Sequence, residues 1–512
     1  MNKFKQFIYS KRFVIGIIAV FQMITFEWVV IQLYTGGTII CILLVAFSIF
    51  MMLYMLEKDN MNPSYKLAWI LIMTVLPVTG ALFYFLWGDT KLTRRQERGM
   101  QRIQDRTNRQ MKPNPLLIEK ISDMDKALGR QAFYIERNGH APAYENTAVK
   151  YYQMGAAMFR DMLADLQNAK ESIFLQYFII DQGYMWDAIL DILKQKAAQG
   201  VDVRVIYDGM GCLIKLPEGY EKTLRQWGIK TYIFNDVKFS VRLGDYFMLN
   251  HRDHRKIAVI DSTIGYSGGI NVADEYINVI QRFGVWKDTG FRLEGDGVWS
   301  LTTTFLNTWE YVSRTTDNYD DYKPRYSKET DGIVQPYYDT PLDKINLCAN
   351  TYLTVVNNAK DYVYISTPYL ACDNEMLTAF TLAAQSGVDV RIVVPGIPDQ
   401  WYVYYVTQSY YRHLLQAGVK IYEYTPGFIH AKMYVSDDKQ AIVGGANTDY
   451  RSMYLNFENC CSFYGGTMVN SVKHDFEETF ALCRQVTMQD VNNTSFGKRL
   501  MQIILRIWSP ML

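Results

Sequence analysis

His254-Arg255-Lys256 followed by Asp261, and His430-Ala431-Lys432 followed by Asp437, are one pattern written twice, 176 residues apart. In each copy the acid stands seven positions after the histidine. Seven positions further on come Gly268-Gly269-Ile270-Asn271 and Gly444-Gly445-Ala446-Asn447. The repetition extends to segments with no reactive side chain: Gly200-Val201-Asp202-Val203-Arg204-Val205 recurs as Gly387-Val388-Asp389-Val390-Arg391-Ile392. Likewise Gly228-Ile229-Lys230 recurs as Gly418-Val419-Lys420. Ordered self-similarity means two copies of one folding unit, so the chain is expected to build two like lobes. A lone His-x-Lys is common on solvated strands. Two copies with matching offsets read as a reactive pair.

Each copy has an apolar strand (residues 172–180 and 362–367), then a helical pattern, then a glycine leading into a β-branched strand and a second helix–strand pair. That alternation predicts α/β lobes with largely buried sheets. The histidine motifs fall at the start of apolar runs, 256–260 and 432–435, that read as strands. Residues i and i+2 of a strand share a face, so each histidine points with its lysine. Lobe one carries extra residues at 236–250, expected as a loop over the site.

A repeated histidine beside a fixed cation is what phosphoryl transfer through a covalent histidine intermediate needs. The glycine pairs present no side chain to obstruct a phosphate, and Asn271 and Asn447 can donate to its oxygens. Net charge is +1, with Lys+Arg 53 against Asp+Glu 52, which argues against a nucleic-acid binder. Seven cysteines without regular spacing offer neither a disulfide framework nor a zinc pattern and are expected reduced, as on a cytosolic face.

Three apolar stretches crowd the first ninety residues. Residues 13–34 are interrupted by Glu27, whereas 38–56 and 67–87 carry no charge and are long enough to cross a ~30 Å hydrocarbon layer as helices. The cations that follow (Lys91, Arg94, Arg95, Arg98, Arg102, Arg106) are expected on the cytoplasmic side, near anionic headgroups. Lys3, Lys5, Lys11 and Arg12 favour the same side for the N-terminus, hence two spans plus one non-spanning segment. At the other end, residues 498–508 mix basic and apolar positions at helical spacing, as in an interfacial helix or one docked on lobe two.

The two His-x-Lys-x4-Asp motifs resemble those of the phospholipase D superfamily, and with the N-terminal stretches the resemblance narrows to bacterial cardiolipin synthases. Leu76-Pro77-Val78-Thr79-Gly80, Tyr207-Asp208-Gly209, Trp286-Lys287-Asp288, Thr367-Pro368-Tyr369 and Asn456-Phe457-Glu458 extend it over nearly the whole chain. Gly269 and Gly445 stand where relatives often have serine, and Gln176 where an acid is common. The resemblance implies a membrane anchor at 1–88, a basic connector at 89–134, a first lobe at 135–325 and a second at 326–512, the lobes sharing one active site.

It implies further a catalytic set of His254, Lys256, Asp261, His430, Lys432 and Asp437, substrate contacts from Asn271 and Asn447, and orienting acids Asp288 and Glu458. Which acid serves which ring stays open. Asp261 and Asp437 are expected to hold the lysines or the strand-end turn. A symmetric pair does not reveal its nucleophile; family usage gives His254. No metal or cofactor is expected, since lysine supplies the charge and histidine the nucleophile. The implied reaction joins two phosphatidylglycerols into cardiolipin and releases glycerol, at a multi-pass bacterial cell membrane with cytoplasmic lobes. Anionic membrane lipids are the expected partners, nucleic acid is not. Hydrolysis, another donor or acceptor, or a non-catalytic lipid-binding scaffold are the alternatives.

Overall fold

The computed structural model describes Trp28 and residues 38–58, 61–88, 94–237, 250–328 and 330–511, which group into an N-terminal unit and a larger second unit. The N-terminal unit has three helices: α1 (Thr38–Leu56), α2 (Pro63–Val75) and α3 (Pro77–Trp87). Asn62 starts α2 by accepting from the Ser64 amide at 2.9 Å, with Pro63 preset for the first turn. The stretch 67–87, expected as one helix, is two. Pro77 holds Leu76 at φ −127°, ψ 74°, outside the helical region, and a new helix starts from there. α1 leaves Leu43, Phe50 and Leu53 more than 60% exposed. Its 19 residues rise about 28 Å, and no helix of the described residues is long and apolar enough to cross a membrane. The first apolar stretch, apart from Trp28, and the insertion at 238–249 lie outside the described residues.

The second unit opens with α4 (Arg94–Gln110), α5 (Pro115–Met124) and α6 (Lys126–Gly139). Residues expected as a connector are thus folded onto the body. Arg106 meets the buried Glu310 at 2.6 Å, and Gln335 donates to the carbonyls of Ala132 and Ala141.

Lobe one runs β1 (Thr147–Tyr152), α7 (Gly155–Asn168), β2 (Ser172–Tyr177), α8 (Tyr184–Ala198), β3 (Asp202–Asp208), α9 (Tyr220–Gln226) and β4 (Lys230–Phe234). It closes with β5 (Ile257–Ile260), β6 (Ile264–Gly268), β7 (Gly290–Gly295) and α10 (Val298–Ser313). Lobe two repeats this as β8 (Ile333–Asp339), α11 (Leu347–Asn358), β9 (Tyr362–Ser366), β10 (Leu370–Ala371), α12 (Asn374–Gln385), β11 (Asp389–Pro395), α13 (Trp401–Gln416) and β12 (Lys420–Tyr424). Then come β13 (Met433–Ser436), β14 (Gln440–Gly444), β15 (Thr448–Asp449), α14 (Tyr450–Tyr454), β16 (Glu458–Tyr464) and α15 (Gly466–Ala481). β17 (Cys483–Gln485), α16 (Met488–Asn492) and α17 (Phe496–Ile507) finish the chain.

The sheets follow one plan. Lobe one is ordered β1-β7-β6-β5-β2-β3-β4 and lobe two β8-β16-β14-β13-β9-β11-β12, with β17 added at the edge. In each, three strands run parallel and the rest pair antiparallel. Gly200 (φ 88°) and Gly387 (φ 97°) make the same left-handed exit from a helix into a strand. Just beyond, Asp202 holds Arg204 and Lys230 as Asp389 holds Arg391 and Lys420. Between the lobes, Phe174, Ile257, Val259 and Phe291 share one core with Met433, Val435, Val443 and Phe463. A common dry core is what holds the two histidine strands in fixed relation.

Candidate active site

The ladder residues begin at Ile257 and Met433, so both histidines lie on the extended chain just before a strand. Each such segment pairs with the other lobe. The Phe457 amide donates to the Arg252 carbonyl at 2.8 Å and the His254 amide to the Phe457 carbonyl at 2.9 Å. Its counterpart has Lys287 donating to Phe428 at 3.0 Å and His430 to Lys287 at 2.7 Å. The residue after each partner is an acid, so each lobe delivers a carboxylate to the other lobe's ring. His254 Nδ1 lies 2.8 Å from Glu458 Oε1, and His430 Nδ1 lies 2.6 Å from Asp288 Oδ2. A carboxylate can only accept, so with Glu458 ionised His254 Nδ1 carries the proton and Nε2 keeps its lone pair, and His430 takes the same tautomer when Asp288 is ionised.

Both histidines, both lysines and both acids are buried. Burial lowers His254 to about 4 against the pull of Glu458, and lowers His430 with help from Lys432 and Lys256. It lowers Lys256 to about 8 and Lys432 to about 7. Burial works to raise Glu458, but His254 and Lys256 overcome it and bring the carboxyl below its usual range. Asp288 is less well compensated and burial lifts it to about 7 despite Lys432. Lys432 Nζ stands 2.7 Å from His430 Nδ1, which holds one proton only. Lys432 Nζ also donates to the His430 carbonyl. Lys256 Nζ donates to the His254 carbonyl.

The acids of the motif lie elsewhere. Asp261, at φ 50° beyond the far end of β5, accepts from the amides of Lys170, Glu171 and Ser172 at 2.9, 2.7 and 2.9 Å. Asp437, at φ 53°, does the same for Lys360, Asp361 and Tyr362 at 2.8, 3.0 and 2.9 Å. Five residues of extended chain, ~16 Å, separate them from Lys256 and Lys432. This corrects their inclusion among the catalytic groups: they hold the strand-end turn and do not reach the lysines.

The glycine pairs also leave room for the orienting acids. A Cβ on Gly269 would lie 2.2 Å from Asp288 Oδ1, and one on Gly445 3.1 Å from Glu458 Oε2. Asn271 accepts from the Ile179 amide at 3.1 Å and donates to the Tyr276 hydroxyl at 2.8 Å. Asn447 donates to Asp449 at 2.8 Å. Each asparagine keeps one amide N–H beyond these bonds.

Three groups of neighbours had no role at the site assigned from the sequence. Tyr276, Trp286 and Phe428 place their rings 5.4, 5.5 and 5.8 Å from that of His430, and Phe178 stands 5.0 Å from His254. Beside His254 a buried network joins Asp208 to Arg252 at 2.8 Å, Asp253 to Arg255 at 2.7 Å and Gln176 to Asp253 at 2.6 Å. Its signal was visible as His-Arg-Asp-His-Arg-Lys, where lobe two has Gly-Phe-Ile-His-Ala-Lys.

Two like lobes, each supplying a His-x-Lys and the acid behind the other's ring, define a phospholipase D-type protein. Residues 162–281 and 352–480 match the family described as cardiolipin synthase, PLD-like domain, and residues 36–88 match the phospholipase D-nuclease N-terminal family. The chain belongs to the cardiolipin synthase family of the phospholipase D superfamily, and is a phosphatidyltransferase. It is 40% identical to an uncharacterized protein of Streptococcus mutans over 89% of this chain and 98% of that one. It is 33% identical to cardiolipin synthase 1 of Bacillus anthracis, over 89% of this chain and 90% of the relative. The crystal structure of phosphatidylserine synthase from Haemophilus influenzae shares its fold, with a TM-score of 0.55 at 14% identity over 74% of this chain and 98% of the other.

Proposed function

We propose that the chain transfers a phosphatidyl group from one phosphatidylglycerol to the terminal hydroxyl of another, forming cardiolipin and releasing glycerol. The observation that carries this reading is the crossed pair of rings, each with Nδ1 held by a buried carboxylate of the opposite lobe and a lysine beside it. Neutral His254 attacks phosphorus through Nε2. The bond from phosphorus to the glycerol oxygen breaks, and His430 gives that oxygen its proton. A second phosphatidylglycerol then yields its hydroxyl proton to His430 and attacks the phosphohistidine, and the P–N bond breaks to restore His254. The proton that His430 gives is taken up at its Nε2 from solvent as the anionic phosphodiester arrives between Lys256 and Lys432 and restores the proton affinity that burial removes; the second step returns it, so the cycle closes. Asn271 and Asn447 contribute their remaining N–H donors to phosphate oxygens. The aromatic wall around His430 favours an alcohol acceptor over water, because it keeps the second step dry.

In this reading residues 1–88 anchor the protein to the bacterial membrane in more than one pass, and the exposed apolar side chains of α1 face lipid. Residues 89–134 join the anchor to lobes at 135–325 and 326–512 on the cytoplasmic side. The test is incubation of the purified full-length protein in detergent with phosphatidylglycerol alone, followed by lipid mass analysis and a glycerol assay. Cardiolipin with matching glycerol is expected. Phosphatidic acid would make the chain a hydrolase, and no product from any phospholipid donor would leave a lipid-binding scaffold.

A further inference from the structure

α17 docks on α13 the wrong way round for a surface helix. It sets Lys498 over the Tyr405 ring at 5.2 Å and Arg506 over the Tyr410 ring at 4.3 Å, and it buries Gln502. Outward it shows Phe496, Leu500, Ile503 and Ile507, exposed by 82, 47, 55 and 45%. These four stand at i, i+4, i+7 and i+11, one continuous apolar stripe. A helix that only closed a lobe would bury that stripe.

Beneath it, α13, α16 and α17, with Glu423 of β12 and Arg484 of β17, line a half-open pocket of about 360 Å³, within the ~300–1,000 Å³ range of small-molecule sites. Five cations line it: Arg412, Arg484, Lys498, Arg499 and Arg506. Its two carboxylates, Glu423 and Asp490, are both taken by Arg484, at 2.6 and 2.8 Å. Among the described residues the other four cations have no carboxylate partner. An uncompensated cationic cavity recruits an anion, and an apolar stripe on the helix that walls it recruits hydrocarbon. One class of molecule carries both.

We propose that this cavity seats the phosphate headgroup of a second, non-reacting anionic phospholipid of the bilayer, whose acyl chains lie along the outward stripe of α17. None of its lining residues belongs to the His–Lys constellation, so the assignment goes beyond the transfer reading and does not rest on it. The lipid would hold lobe two against the membrane surface.

The test measures hydrogen–deuterium exchange across residues 496–507 in the full-length His254→Ala protein in neutral detergent, so that no lipid is consumed. Phosphatidylglycerol at ten times its dissociation constant should slow exchange there about tenfold. Phosphatidylcholine and free glycerol 3-phosphate should not. Neutralising Lys498, Arg499 and Arg506 together to Gln should weaken the protection about 100-fold in lipid concentration, at about fivefold per cation. Equal protection by phosphatidylcholine, or by free glycerol phosphate, overturns the proposal, as does protection surviving the triple variant. Should the triple variant melt early, Arg499→Gln alone serves: an unchanged lipid dependence there overturns the proposal equally, and a fivefold weakening supports it.

Discussion

The two histidines occupy one frame in unlike surroundings. His254 follows the buried charged network of Asp208, Arg252 and Asp253, whereas His430 follows Phe428 and Ile429 and is walled by Tyr276 and Trp286. Even the acids differ: Glu458 is held ionised by its neighbours, while Asp288 is lifted to about 7. Duplication therefore preserved the backbone pairing that crosses a carboxylate to each ring and left the surroundings free to diverge. A polar surround suits a ring that must carry a charged phosphoryl group. A dry aromatic surround suits a ring that passes one proton between alcohols.

The largest effect expected is from removing either ring. His254→Ala and His430→Ala should each cost at least ~10⁴-fold in turnover. The comparison is sharpened by a substrate whose leaving group needs no proton, such as a phosphodiester of nitrophenol. Release of nitrophenol should recover substantially in His430→Ala and not in His254→Ala. The opposite pattern would exchange their roles.

Substituting the acids comes next. Glu458→Gln should cost ~10³–10⁴-fold, because the amide cannot stabilise a charged imidazole. Asp288→Asn should cost about tenfold less, because that carboxyl already tends toward its neutral form. Equal losses, measured as kcat/KM, would mean that the two surroundings do not differ in the way burial implies.

The pH profile follows. His254 sits at about 4, below its ordinary value, so its neutral form and the stability it lends are complete above ~6.5 and are lost as pH falls toward 4. Lys256 and Lys432, at about 8 and 7, lose their charge as pH rises through 7 to 8. His430, which must carry a proton and is lowered by burial, starts the alkaline fall of kcat/KM below the ordinary histidine value, and loss of the lysine charges should add a further limb between pH 7 and 8. Lys432→Arg, which stays charged, should move that limb upward, and an unmoved limb would assign it to another group.

Much of this was legible because it is periodic or repeated. The His–Lys pairs, the two lobes and the glycines before β3 and β11 are visible as offsets in the chain. Glu458 and Asp288 could be listed but not assigned, since the crossing is made by backbone bonds between residues about 140 to 200 positions apart, which no local pattern encodes. The break at Leu76 was written in Pro77, but a run of apolar residues outweighed it. The aromatic wall could not be assembled from the sequence because its rings come from separate segments and look like ordinary core until the lobes meet.

The smallest effect on catalysis is expected where the motif is most conspicuous. Asp261 and Asp437 each collect three amide donors at the end of a histidine strand, some 16 Å from the lysines. Asp261→Ala or Asp437→Ala strands those donors and gives up a local turn, at ~1–3 kcal/mol of stability. The chemistry at the rings should survive, because the strand is also held by β2 or β9 and by the common core. Denaturant midpoints should therefore fall in both variants while kcat in the surviving folded fraction stays within about threefold of the parent. A loss approaching that of His430→Ala, with an unchanged midpoint, would return these acids to the site. The two positions also test the likeness of the lobes: their partner sets match donor for donor, so their stability costs should agree to within ~0.5 kcal/mol, however far apart the two histidines behave.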